Sequence, residues 1–176
     1  ATSIEGIILG SSLIDSGKVK NVISSTSSHN MSSEKQFRNP TEYGAPKPKT
    51  ATFTATGGAS MLLTDENTGI KVESSTIGRI LDYNQTDPLN MGSVMAPAAA
   101  DTIYRHLKDM NRDPSYYDLI LTGDLGLYGK EILIDFMKTE YGLDISSNYN
   151  DCGVMLYDLE TQKEVLAGGS GPVCSA

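Results

Sequence analysis

Apolar residues recur at helical spacing from the start of the chain, at Ile4, Ile7, Ile8 and Ile14, and Gly17 ends the pattern. Thr2 and Glu5 have the spacing of a capping box, a hydroxyl at the N-cap and a carboxylate that reaches back. The positive end of such a helix would hold an anion, or acidify a thiol placed just before Ala1. Val19 to Ser24 reads as a short buried strand that runs into the polar stretch Ser24 to Asn30. Pro40, Gly44, Pro46 and Pro48 make residues 30–50 a long irregular loop, with one helical turn around Glu34 to Phe37. Two strand-like runs follow, Thr50 to Thr56 and Ala59 to Thr64, joined at Gly57 and Gly58. A third, Ile70 to Leu81, alternates in part. The turn residues Asp65 to Gly69 predict a hairpin between the last two.

Asp87-Pro88 and Gly92 break any regular element across residues 82–92. A helix is expected from about Pro97 to Met110, with Ala99, Ile103, Leu107 and Met110 on one face and Pro97 in its first turn. Tyr117 to Thr122 is apolar enough for a central strand. Gly123-Asp124-Leu125-Gly126 forms the loop at its carboxyl end, before a helix from about Gly129 to Glu140 that stops at Gly142. Val154 to Tyr157 and Glu164 to Ala167 read as further strands. The alternation is α/β grammar, and sites in such folds lie beyond the carboxyl ends of strands. That rule puts Asp124 at the edge of a site.

The 176 residues suffice for a real core, and 39% hydrophobic content fits a globular chain. A net charge of −8 with no basic patch argues against nucleic acid as a partner. The two cysteines, Cys152 and Cys174, do not make a disulfide framework and read as intracellular thiols. No run approaches a membrane span. A start without methionine and a glycine-rich end, Gly168 to Gly171, read as those of a fragment of a larger protein.

Several longer strings carry a resemblance: Ser25-Thr26-Ser27-Ser28-His29; Gln36 to Gly44; Thr56-Gly57-Gly58-Ala59-Ser60; Met91 to Thr102; Asp118 to Leu125; Asn150-Asp151-Cys152-Gly153; and Gly168-Gly169-Ser170-Gly171. Their order resembles the thiolase fold of ketoacyl synthases, and within it the stage V sporulation AD proteins of spore-forming bacteria. The resemblance implies an α/β, thiolase-like fold, layered α-β-α-β-α in the full protein and partial here. Residues 1–81 would end the first repeat, and residues 82–176 would form most of the second. It also places a nucleophilic cysteine just before Ala1.

Type III ketoacyl synthases hold the thioester oxygen with a His and an Asn, and here the matching positions are Asp124 and Asp151. Ionised carboxylates accept hydrogen bonds and would repel an oxyanion, and removing one such donor costs about 10²–10³ in rate. The resemblance therefore implies a binding protein for dipicolinic acid, with an acyltransferase or ketoacyl synthase as the rival. No organic cofactor is implied. Asp124 and Asp151 would face calcium carried with the ligand. His29, Asn150, Gly169 and Gly171 complete the implied ligand-binding set. The family context adds a homodimer and other spore membrane proteins as partners, at the periphery of the forespore inner membrane.

The residues alone leave simpler roles open. Asp124 can cap the next helix and Asp151 can serve a turn. His29 can be structural and the glycines can serve a tight turn. His106, between Arg105 and Lys108, is expected on the surface, Tyr116 and Tyr117 in a core or interface, and Arg38 with Glu42 in an ion pair.

Overall fold

The computed structural model describes residues 2–30, 47–166 and 169–170. The fold is α/β. In chain order it comprises α1 (Thr2–Asp15), β1 (Asn21–Ser28), β2 (Phe53–Thr54), β3 (Gly57–Thr64), α2 (Met91–Asp109), a 3₁₀ turn (Pro114–Tyr116), β4 (Ile120–Thr122), α3 (Gly126–Tyr141), β5 (Tyr149–Asp151), α4 (Cys152–Leu156) and β6 (Gly169–Ser170). β1 pairs antiparallel with β3, β2 parallel with β6, and β4 parallel with β5.

The first layer is a two-stranded sheet with α1 across it. Burial alternates strictly along β1, so Val22, Ser24, Thr26 and Ser28 face inward while Ile23 is 70% exposed. Asn21 pairs with Thr64 and Ser28 with Gly57. α1 comes close to this sheet at Gly6, against the Ser24 side chain, and at Gly10, against Val22 and Leu63. The helix starts at Thr2, and the Thr2 side chain of the expected capping box lies outside what the structure describes.

The core lies elsewhere. Ala96 and Ala100 of α2, Leu133 and Met137 of α3, and Leu125, Ile145 and Tyr149 form one buried cluster. α2 and α3 approach closely where Gly92 meets Gly129. A Cβ on Gly92 would lie 2.7 Å from the Leu125 carbonyl oxygen, and one on Gly129 would lie 3.0 Å from the Gly92 Cα. β4, α3 and β5 form a strand-helix-strand unit with both strands running the same way. α3 ends at Gly142 in the left-handed conformation, φ 67°, as a helix stop requires.

Several expectations are corrected. β1 runs on through Ser28, because its Ser/Thr stretch pairs with β3 across the Gly57-Gly58 step, and that step lies inside a strand. The partner of β3 is thus β1, and residues 70–81 form neither a strand nor a hairpin arm. Polar side chains pin that segment to its surroundings. Arg79 donates twice to Asp101, at 2.8 and 3.1 Å, and Arg112 twice to Glu73, at 2.7 and 3.3 Å. α2 begins well before Pro97, because Asn90 caps it by accepting from the Ser93 N–H. Pro97 therefore sits inside the helix. Residues 154–156 belong to α4, and residues 164–166 form no strand.

His106 is half-buried rather than on the surface. It bonds Thr76 Oγ1 through Nδ1 at 2.8 Å and Tyr117 Oη through Nε2 at 2.7 Å. Arg112 donates to the same phenol at 3.1 Å. Tyr117 is half-buried, whereas Tyr116 is 59% exposed with the Arg112 guanidinium over its ring. The expected turn at Glu34 to Phe37, the Arg38–Glu42 pair and Cys174 lie outside the described residues.

Candidate functional site

Thr122 and Asp151 are the last residues of β4 and β5, and they face each other across the parallel pair. The carboxyl ends of these strands therefore meet at one point, where the sequence rule places a site. Asp124 follows β4 in the turn into α3. Its φ of 68° is unusual for a residue with a side chain, and Gly126 has φ 67° in the same turn. Asp124 Oδ1 is buried and finds no hydrogen-bond partner among the described residues. Burial raises the Asp124 carboxyl from 3.8 to about 7, and repulsion from the Asp151 carboxylate adds to the rise.

Asp151 is in the opposite condition. It is 0% exposed, and both oxygens are filled. Oδ1 accepts from the Gly126 and Gly153 N–H groups, each at 2.9 Å, and Oδ2 accepts from Thr122 Oγ1 at 2.8 Å and the Leu125 N–H at 3.1 Å. One carboxylate thus binds the start of α3 and caps α4. A carboxylate has about four acceptor directions, and all are used here. Asp151, expected to face a ligand or calcium, thus has both oxygens taken up by the protein's own donors. The donors come from backbone turns that residue identity does not reveal, which is why the sequence left the role open.

Asn150 is also committed. Its Oδ1 accepts from Lys130 Nζ at 2.8 Å and from the Asp151 N–H at 2.9 Å. His29 is exposed at the end of β1, on the other sheet from the two aspartates. Gly169 pairs with Phe53 in the β2–β6 ladder, and Gly168 and Gly171 lie outside the described residues.

Two further residues belong here that the sequence did not single out. The Tyr157 hydroxyl donates to the Thr54 carbonyl at 3.3 Å, and its pKa is raised by burial and then by the nearby Asp124 charge. Thr54 also receives the Asn30 amide, at 3.1 Å on its carbonyl and 2.9 Å on its hydroxyl. Tyr157 therefore ties the end of α4 to the β2–β6 strands within the field of Asp124, beside Ser170, the register partner of Thr54. Tyr157 ends a run that reads as a strand, and only its placement after α4 brings it here. Thr52, just before β2, holds the other buried unpartnered side-chain oxygen among the described residues.

Chemically, the arrangement offers one buried acid with an uncommitted oxygen, a phenol and strand-end backbone. No group of three or more His, Cys, Asp and Glu that could hold a metal occurs among the described residues.

The comparisons with known proteins agree with one another. A family model described as stage V sporulation protein AD matches residues 1–176. Stage V sporulation protein AD of Bacillus subtilis (strain 168) is 48% identical over 176 residues, which is 100% of this chain and 51% of the relative. The chain spans about half the length of that relative. With a whole-length family match and a relative at this identity, the chain belongs to the stage V sporulation protein AD family.

Proposed function

We propose that the protein binds dipicolinic acid, alone or as its calcium chelate, for uptake into the developing spore, and that it performs no acyl transfer. The observation that carries this reading is the buried, unpartnered Oδ1 of Asp124 at the carboxyl ends of the parallel strands. A buried polar atom without a partner costs about 1–3 kcal/mol, and an arriving ligand recovers that cost: the Asp124 carboxyl, raised to about 7, donates to a ligand carboxylate when protonated and meets calcium carried with the ligand when ionised.

The case against acyl transfer is electrostatic. Condensing chemistry needs donors aimed at a developing negative charge. At the two matching positions Asp151, whose oxygens already receive four donors, can donate nothing, and Asp124 offers a single donor only while it keeps its proton. Calcium enters this reading as cargo, with Asp124 contributing an oxygen at most. The thiolase-like architecture, a homodimer and work beside other spore proteins at the forespore inner membrane belong to the same reading. No described helix is long and apolar enough to cross a membrane.

Calorimetry of the full-length protein with pyridine-2,6-dicarboxylate, with and without calcium, tests it. Saturable binding that weakens about tenfold in Asp124→Asn is expected, matching the loss of one hydrogen bond to a charged group. Absence of binding in both conditions, or a covalent acyl-enzyme after incubation with acyl-CoA, overturns it.

A further inference from the structure

We propose that Asp151 is a positioning residue for ligand binding: it holds the β4–α3 turn in the shape that presents Asp124, and does not touch the ligand. The inference rests on the reading that Asp124 meets a small acid, and it assigns the two aspartates separate tasks.

The turn is strained where Asp124 sits. A side-chain residue at φ 68° costs on the order of 1 kcal/mol and persists only where its surroundings hold it. The holding groups are visible. The N–H groups of the next two residues, Leu125 and Gly126, both donate to Asp151, one to each oxygen. Thr122 Oγ1, two residues before Asp124, donates to Oδ2 and so fixes the end of β4 to the same carboxylate. Asp151 therefore grips the chain on both sides of Asp124. Tyr149 keeps Thr122 in place, since its hydroxyl lies 2.6 Å from Thr122 Oγ1.

An amide cannot do this. In the Asp151→Asn variant, whichever way the side chain is turned, its NH₂ replaces an oxygen that accepts two donors, at least one of them a backbone N–H of the turn or of α4. Two donors then face each other. The turn relaxes, and Asp124 leaves the left-handed conformation.

The test uses Asp151→Asn, Thr122→Val, Asp124→Asn and the paired variants in the full-length protein. Thr122→Val keeps the Asp151 charge and removes a single donor, so it serves where Asp151→Asn does not fold. The ¹³Cα and ¹³Cβ shifts of Asp124 are read in the folded state, and affinity for pyridine-2,6-dicarboxylate is read by calorimetry. Asp124 shifts that move away from left-handed values in Thr122→Val and Asp151→Asn are expected. A residue that only stabilises the fold lowers the melting temperature and leaves these native-state shifts in place.

Affinity should fall about two- to tenfold in Thr122→Val and about tenfold or more in Asp151→Asn, from the neutral and charged hydrogen bonds lost. In an Asp124→Asn background both further losses should vanish, because the two residues act through one contact. Unmoved Asp124 shifts, or losses that multiply in the paired variants, overturn the proposal. Where the wild-type protein does not bind the acid, the function proposed above fails, and the Asp124 shifts alone decide this one.

Discussion

The α1–β1–β3 layer and the α2–α3–β4–β5 body both carry apolar sequence and use it differently. Every buried hydrophobic residue among those described lies outside α1, β1 and β3. The body packs Leu133, Met137 and Ile145 at 0% exposure, while the layer leaves Leu9, Ile23 and Leu62 at 66%, 70% and 66%. The layer instead holds itself by a long strand register and by close approach of small residues, Gly6 to Ser24 and Gly10 to Val22. Hydrophobic content therefore does not locate the core. Two apolar faces opposed to each other do, and among the described residues the α2–α3 pair supplies them.

The largest expected effect sits in the body. Leu133→Ala should destabilise by about 2–5 kcal/mol, read from the denaturant midpoint, because its site is closed on all sides. A cost near that of a surface change would dissolve the contrast between the regions. Gly92→Val should cost about 1–3 kcal/mol, since a Cβ there meets the Leu125 carbonyl and the Gly129 backbone rather than a flexible side chain.

The next test is a slope. Folded Asp124 keeps its proton up to about 7, whereas the unfolded chain releases it near the ordinary 3.8. Between those values the folded state binds more protons, so this group makes stability fall as pH rises, and its effect levels off above about 7. Urea midpoints at about pH 5 and about pH 8 should show that decline in the wild type and a smaller one in Asp124→Asn. The smallest effect belongs to the layer: Ile23→Ser should shift stability by no more than about 0.5 kcal/mol, because the side chain is already in solvent.

The parts of the fold that the sequence disclosed are those set by local chemistry. Gly142 marked the end of α3, and the apolar run before Gly123 marked β4. What it concealed depends on distant partners. Residues 70–81 alternate like a strand, yet Glu73, Thr76 and Arg79 are held by Arg112, His106 and Asp101, and Ile70, Ile77 and Ile80 stand 92%, 82% and 99% exposed. α2 was misplaced because Pro97 looked like a start signal, while the real start was the Asn90 side chain. At the site, Asp124 was legible from its place after a strand. The burial of its oxygen and the commitment of Asp151 were not, since both follow from three-dimensional neighbours.

The double cap at Asp151 also governs how this corner opens. The amides of Leu125, Gly126 and Gly153 belong to two helices but share one acceptor group. Fraying the start of α3 alone would take two of the four donors from a buried carboxylate, and fraying that of α4 one, so the two starts should open as one cooperative unit. Hydrogen exchange at these three amides would then proceed with a common free energy, although they stand far apart in sequence.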